Sequence, residues 1–162
     1  MKRIWSPWRM KYIEGHGKET GCIFCKALKQ KDDQALIVAR MTHAYVILNR
    51  YPYTAGHLMI VPHEHVNSIE KLPEATWLEM FALTKQALAA LRSAYRAPAF
   101  NLGANIGEAA GAGVADHVHL HVVPRWSGDT NFMSVVGEVR VLPESLEETW
   151  KKIRGAWSRD EK

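Results

Sequence analysis

The stretch that decides the fold is DHVHLHVVPRW, residues 116–126. It places His117, His119 and His121 at alternate positions, with an apolar residue after each of them. Because successive side chains of a β-strand point to opposite faces, this alternation predicts a strand with all three histidines on one face and apolar side chains on the other. The apolar face predicts a core, so we expect the histidine face to be open or to face a ligand.

Three explanations can account for the histidine face. A solvated strand face normally uses Thr, Lys, Glu and Arg, which disfavours three imidazoles as filler. Binding of one metal ion by all three histidines is disfavoured. Same-face residues on one strand lie about 6.6–7 Å apart and metal–nitrogen bonds are near 2 Å, so one ion can bind two of these histidines but not easily the third. Imidazole is largely neutral near pH 7 and forms a labile N–P bond, which favours nucleophilic attack on phosphorus by the middle histidine.

The loop before this strand is rich in glycine and alanine. Residues 107–113 read GEAAGAG, and small residues let backbone N–H groups approach a phosphate closely. Most such loops are simple turns, but this one runs directly into the three histidines. The combination predicts a phosphate site.

The remaining pattern predicts an α+β fold with an antiparallel sheet of about five strands, one long central helix and a C-terminal helix. Strands are predicted at 35–40, 43–49, 57–62, 99–105 and 117–124, with a weaker one at 132–142. Before them, the first thirty or so residues are expected to form an irregular arm. Helices are predicted from Pro73 to about Tyr95 and over 143–157. Their predicted core faces are Trp77, Met80, Phe81, Thr84, Leu88, Leu91 and Tyr95 in the first, and Leu146, Trp150, Ile153 and Trp157 in the second.

The composition is that of a globular protein: 162 residues, 47% hydrophobic and 23% charged. A formal net charge of +4 favours anionic partners, but the scattered Lys and Arg do not indicate nucleic acid. No stretch approaches the roughly 18 apolar residues of a membrane span. The basic, aromatic start lacks the apolar core of a signal peptide, so we expect a cytoplasmic protein that binds no membrane.

The two cysteines, Cys22 and Cys25, form a C-x-x-C pair in GCIFCKA. In a reducing compartment such a pair is half of a metal site, a redox pair or two unrelated thiols. A thioredoxin-like redox pair requires a preceding strand, and none is predicted. The spacing by itself does not decide between half of a metal site and two unrelated thiols.

The segment HVHLHVV resembles the histidine triad signature, His-φ-His-φ-His-φ-φ with φ apolar, of the HIT superfamily of nucleotide hydrolases and transferases. The block LNRYPYTAGHLMIVPHEH (48–65) and the CIFC knuckle also look like those of the family. IWSPWRMKYI and HVVPRWSGDTNF (121–132) are similar to the branch that contains diadenosine tetraphosphate phosphorylases. The resemblance covers nearly the whole chain and implies a single HIT domain over 1–162, with an N-terminal arm and a cysteine knuckle.

The resemblance implies a role for each matching residue. His119 would be the nucleophile that forms a nucleotidyl-histidine on the α-phosphate, and His121 would contact the phosphate. His57 would lie behind the triad as part of the nucleotide site, unless it is simply a core histidine. Asn49 would contact the ribose, unless it is simply a turn residue, and Asn105 would lie near the phosphates.

The phosphate loop departs from one branch of the family. Many hydrolase members carry a Gln before the triad, where this chain has Ala112, Gly113 and Val114 and one extra residue. Phosphorylase members share the longer loop, often with Ser at the position of Gly113. Losing the Gln favours an acceptor other than water. Backbone donors at Gly111, Ala112 and Gly113 would bind the phosphates.

The resemblance also completes the cysteine pair. Cys22, Cys25, His65 and His117 match the four zinc ligands of members with the knuckle. Such a Cys₂His₂ set makes a closed, structural site, and no organic cofactor is expected. One triad histidine, His117, would then serve the metal rather than the reaction.

These expectations describe an enzyme that cleaves dinucleoside polyphosphates, with diadenosine tetraphosphate and inorganic phosphate as expected substrates. A homodimer is expected from the resemblance. Three rival functions are a dinucleoside polyphosphate hydrolase, a nucleoside phosphoramidase and a non-catalytic nucleotide-binding regulator.

Overall fold

The computed structural model describes residues 21–129 and 142–160. It contains a five-stranded antiparallel sheet in the order β1-β2-β3-β5-β4, which confirms the predicted fold class. The strands are β1 (Ile37–Arg40), β2 (Ala44–Leu48), β3 (Leu58–Pro62), β4 (Ala99–Gly103) and β5 (Leu120–Arg125). The helices are α1 (Ile23–Leu28), α2 (Asp32–Ala35), α3 (Glu74–Tyr95) and α4 (Leu146–Asp160), with short 3₁₀ turns at Ile69–Lys71 and Glu108–Ala110.

Two predicted boundaries are wrong in ways that matter. The first thirty or so residues are expected to be irregular, but α1 begins directly after Cys22. The part of the predicted arm before residue 21 lies outside the described residues. The strand carrying the histidines begins at Leu120 rather than residue 117. The weak strand predicted over 132–142 falls, up to residue 141, outside the described residues.

Both faces of the sheet are covered. On one face, α3 and α4 pack over a large apolar cluster that includes Val46, Leu58, Leu91 and Ile153. On the other face, α1 closes a smaller cluster that includes Phe24. All the residues of β2 and β3 are therefore buried, and a side chain on either face of these strands is shielded from water.

The predicted core faces of the two long helices are mostly confirmed. Met80 and Leu91 of α3 and Ile153 of α4 are at most 1% exposed. Phe81 is the exception, because it is 63% exposed and stacks on Trp77 with ring centroids 5.6 Å apart. Its spacing matches the core face, but it lies at the margin of that face.

The two edges of the sheet differ. At β1, the Trp150 indole N–H donates to the carbonyl of Ile37 at 2.8 Å, and the Arg154 guanidinium donates to the carbonyl of Val38. At the other edge, four of the five residues of β4 are exposed. One edge of the sheet is thus capped by α4, whereas the β4 edge is open among the described residues. Over those same residues, no helix is both long and apolar enough to cross a membrane.

Candidate active site and metal centre

The three triad histidines and His57 converge on the face of the sheet covered by α1. His121 in β5 pairs with Met59 in β3, and His57 lies two residues before Met59, so both rings share one face. His117 and His119 precede β5 in an extended segment whose Val118 N–H donates to the carbonyl of Val66 at 2.7 Å. The predicted alternation therefore holds, although only part of the stretch pairs as a strand.

The histidine face is not open to solvent, and the alternative expectation, that it faces a ligand, stays a prediction. His117 is 1% exposed and His119 is 5% exposed. Phe24 of α1 lies against both, with ring centroids 5.4 Å from His117 and 4.8 Å from His119. Helix α1, which was not predicted, covers the histidine face. The alternation of residues in a strand does not show which other element packs on that face.

The proton on His119 is located by its neighbour. His119 Nδ1 lies 2.9 Å from the carbonyl oxygen of His117, which can only accept a hydrogen bond. Nδ1 must therefore carry the proton, and Nε2 carries the lone pair. Burial lowers the pKa of His119, which favours the neutral ring that a nucleophile requires.

His121 is held by His57. His57 Nε2 lies 2.9 Å from His121 Nδ1, and the His119 and His121 ring centroids are 4.8 Å apart. Burial, with a smaller contribution from His119, lowers the pKa of His121 to about 4. His57 itself is fully buried. His121 is consequently a neutral ring at physiological pH.

Asn49 serves the turn before His57. Its Oδ1 accepts the Tyr51 main-chain N–H at 2.9 Å, and its Nδ2 lies 3.4 Å from His57 Nδ1. These contacts agree with a role as a turn residue. Contact with a ribose stays a prediction.

The glycine loop is folded back on itself. The N–H of Gly111 donates to the carbonyl of Glu108 at 2.9 Å, and the N–H of Ala112 donates to the carbonyl of Gly107 at 3.3 Å. Two of the amides expected to bind phosphate are thus engaged within the loop. Phosphate binding by this loop, including Gly113 and Asn105, stays a prediction.

Cys22, Cys25, His65 and His117 come together as predicted, with one ligand atom from each lying within 4.8 Å of all the others. Cys22 caps α1 and Cys25 follows one turn later, so both thiols are on one side of the helix. The His117 Nδ1 lies 3.3 Å from Cys22 Sγ, 3.6 Å from Cys25 Sγ and 3.3 Å from His65 Nδ1. Cys25 Sγ lies 3.5 Å from His65 Nδ1.

These spacings fit a tetrahedral metal ion. Bonds of about 2.0–2.3 Å place the ligand atoms of a zinc tetrahedron roughly 3.3–3.8 Å apart. His117 Nε2 lies 3.0 Å from the carbonyl of Pro62, so that nitrogen carries the proton and Nδ1 presents its lone pair to the cluster. The four residues can therefore hold a metal ion.

Two aromatic residues at the site were not predicted. Phe24 lies within the CIFC knuckle, where apolar character was the only available signal. Tyr53 contacts His57 with ring centroids 4.5 Å apart and His121 at 5.9 Å. No spacing rule links Tyr53 to a histidine so far along the chain, so the sequence held no signal for it.

Arg125, the basic residue at the end of β5, pairs with a carboxylate. Its Nε and one terminal nitrogen each donate to Asp129 at 2.7 Å, and the other terminal nitrogen donates to Asn101 Oδ1. This bidentate pairing neutralises much of its charge.

Comparison with known proteins agrees with this geometry. The HIT domain model matches residues 30–128. A Mycobacterium tuberculosis protein named AP-4-A phosphorylase is 35% identical over 98% of this chain and 86% of its own length.

Among solved structures, a Zn-bound histidine triad family protein from Mycobacterium smegmatis superposes with a TM-score of 0.71 at 28% identity, covering 87% of this chain and 96% of that one. A hypothetical histidine triad nucleotide-binding protein from Sulfolobus tokodaii gives 0.69 at 26% identity, covering 85% and 93% respectively. The chain belongs to the HIT domain family.

Proposed function

We propose that this protein is a nucleotidyltransferase that cleaves dinucleoside polyphosphates, diadenosine tetraphosphate in particular, by phosphorolysis. The observation that carries the proposal is the hydrogen bond from His119 Nδ1–H to the carbonyl of His117, because it leaves the His119 lone pair on Nε2. A neutral imidazole with an oriented lone pair is suited to attack phosphorus.

The reaction has two steps. His119 Nε2 forms a bond to the α-phosphorus while the bond to the bridging oxygen breaks, which releases ATP and leaves AMP on the histidine. An oxygen of inorganic phosphate then attacks the same phosphorus, the P–N bond breaks, and ADP departs. His121, 4.8 Å from His119 between ring centroids, lies where it can hydrogen-bond the phosphoryl oxygens or the departing group.

Phosphate rather than water is the proposed acceptor. The loop lacks the Gln of many hydrolase members, and the Mycobacterium tuberculosis relative is named a phosphorylase. Asn49, Asn105 and the backbone of residues 111–113 are the proposed nucleotide contacts, while the fully buried His57 would act on the nucleotide site through its hydrogen bond to His121. The N–H groups of Gly111 and Ala112 reach a phosphate only after their bonds within the loop open.

Zinc is the proposed metal of the Cys₂His₂ cluster, where it would bind four protein ligands and supply structural cross-linking rather than an open coordination position. The solved relative described as Zn-bound supports this identity. The chain's part is to bring α1, the segment after β3 and the triad together. His117 would therefore bind the structural metal and take no part in the chemical step.

A homodimer through the β4 edge completes the proposal. Exposed Leu102 on β4 and exposed Leu78 and Phe81 on α3 are apolar, being 50%, 65% and 63% exposed. An open strand edge that carries an exposed leucine favours pairing with a second copy, whereas the β1 edge is capped by α4.

The deciding experiment is incubation with diadenosine tetraphosphate, with and without inorganic phosphate, followed by separation of the products. ADP and ATP formed only with phosphate are expected. AMP and ATP formed regardless of phosphate would assign a hydrolase instead. Absence of cleavage would contradict the proposal and direct attention to phosphoramidate substrates, and nucleotide binding without any turnover would favour a regulator.

A further inference from the structure

We infer that Tyr53 is a positioning residue of the reaction: its main-chain N–H sets the proton arrangement of the His57–His121 pair, and its ring holds that pair in place. The inference rests on the proposed function for its kinetic part alone. Tyr53 lies in the connector between β2 and β3, four residues before His57. It contacts the pair through two different groups, which act in different ways.

The main-chain N–H determines which nitrogen of His57 is protonated. The Tyr53 N–H donates to His57 Nδ1 at 3.1 Å, and an amide N–H can only donate. His57 Nδ1 must therefore hold a lone pair. The side-chain amide of Asn49, 3.4 Å away, presents a second N–H to the same nitrogen, because its Oδ1 is already used by Tyr51. Neutral His57 consequently carries its proton on Nε2.

The proton position on His57 determines the proton position on His121. With its proton on Nε2, His57 donates to His121 Nδ1 at 2.9 Å, so His121 Nδ1 is the acceptor. Neutral His121 then keeps its own proton on Nε2. Neutral His119 carries its proton on the other nitrogen, Nδ1, because Nδ1 donates to a main-chain carbonyl. Two adjacent rings thereby present complementary groups, a lone pair on His119 Nε2 and an N–H on His121 Nε2.

The ring of Tyr53 supports the pair mechanically. It packs on His57 with centroids 4.5 Å apart and lies over His121 at 5.9 Å with the planes 24° apart. Tyr53 is 45% exposed, so its ring contacts the pair from a position that solvent reaches. Offset and tilted contacts of this kind restrict the orientation of both imidazoles.

The first test is NMR of the full chain labelled with ¹⁵N-histidine at about pH 7.5, where the neutral rings dominate and ring nitrogen shifts report the tautomer. We expect His57 and His121 to be protonated on Nε2 and His119 on Nδ1. A His57 protonated on Nδ1 would overturn the inference. This measurement involves no substrate, so it stands apart from whether the proposed phosphorolysis occurs.

The second test compares three variants. Tyr53→Ala removes the ring but keeps the N–H, so we expect unchanged tautomers, broadened His121 signals and a kcat about ten-fold lower with KM within about two-fold. Tyr53→Phe restores the ring and is expected to restore kcat. Tyr51→Ala removes a tyrosine of the same connector that is 51% exposed, and should leave the His121 signals unchanged.

An unaltered kcat and His121 signal in Tyr53→Ala would overturn the role of the ring. If the wild-type protein cleaves no dinucleotide, the proposed function fails, while the tautomer measurement and the His121 signals still decide the inference.

Discussion

His119 donates its Nδ1–H to the main-chain carbonyl of His117 at 2.9 Å, while the ring of His117 lies in the Cys₂His₂ cluster of Cys22, Cys25, His65 and His117. His117 therefore contacts His119 through its carbonyl oxygen and the cluster through its ring. The cluster holds the His117 ring, and the same residue's carbonyl orients His119. Order at the Cys₂His₂ cluster and orientation of His119, the proposed nucleophile, are consequently coupled through a single residue.

Removing the metal should unfold this part of the site. We expect Cys22→Ser to abolish stoichiometric zinc, to lower the free energy of unfolding by several kcal/mol and to lower kcat, because α1 and the triad lose their cross-link. Elemental analysis and thermal unfolding check this. His43→Gln, a histidine outside the cluster, is the control and should keep its zinc. A zinc-free wild-type protein, unchanged by Cys22→Ser, would contradict the assignment.

Replacing the nucleophile should separate turnover from binding. We expect His119→Ala to lower kcat by about 10³-fold or more, since the lone pair proposed to attack phosphorus is gone, while nucleotide still binds. Product formation and calorimetric binding of a non-hydrolysable dinucleotide check the two effects. Turnover within a few-fold of wild type would exclude the covalent route through His119.

Acid should destabilise the fold through His121. Its pKa is about 4 in the folded protein and near the ordinary 6.5 when unfolded, so between these values the unfolded chain binds more protons. The unfolding free energy therefore falls as pH drops from about 6.5 to 4 and is unaffected by this group above about 6.5. Allowing for partial exposure, the loss is about 2 kcal/mol.

Comparison with His121→Gln isolates this contribution, since both proteins share the other buried histidines and the metal ligands. The difference between their unfolding free energies, measured by denaturant titration, should shrink toward about pH 4. Parallel pH profiles for the two proteins would refute the assignment.

Gly56 positions His57 and should not tolerate a side chain. Its φ is +78°, and a Cβ there would lie 3.0 Å from Leu91 Cδ2 and 3.3 Å from the Tyr95 ring. We expect Gly56→Ala to cost about 1–3 kcal/mol of unfolding free energy. Gly103→Ala, where an added Cβ meets nothing within 4 Å, is the matched control. Equal stability of the two variants would contradict the prediction.

A charge at the open sheet edge should separate the proposed dimer. We expect Leu102→Asp to give a monomer in light scattering, because a charge on the β4 edge would be buried without a partner in the dimer. Met41→Glu, 41% exposed in the turn between β1 and β2, should remain dimeric. A monomeric wild-type protein, or a dimeric Leu102→Asp variant, would overturn this interface.

Much of the fold was predictable because it follows local periodicity. The alternation in DHVHLHVVPRW put Val118 and Val122 in the core and the histidines opposite, even though β5 begins at Leu120. The spacing of α3 likewise placed Met80 and Leu91 correctly. Phe81 was misplaced because spacing identifies a helix face but not how far the neighbouring elements extend over it.

The sequence by itself determined which side chains carry the chemistry: the alternating histidines, the C-x-x-C pair and the glycine loop. The tertiary structure decided which of these side chains meet, how deeply they are buried and where their protons lie. Cys22 and His117 are 95 positions apart, and His57 and His121 are 64 apart, so no local pattern relates them. Only the folded chain places Phe24 over the histidines. The proton positions on His57, His119 and His121 also depend on the folded chain, because the tautomer of a neutral imidazole is set by its hydrogen-bond partners.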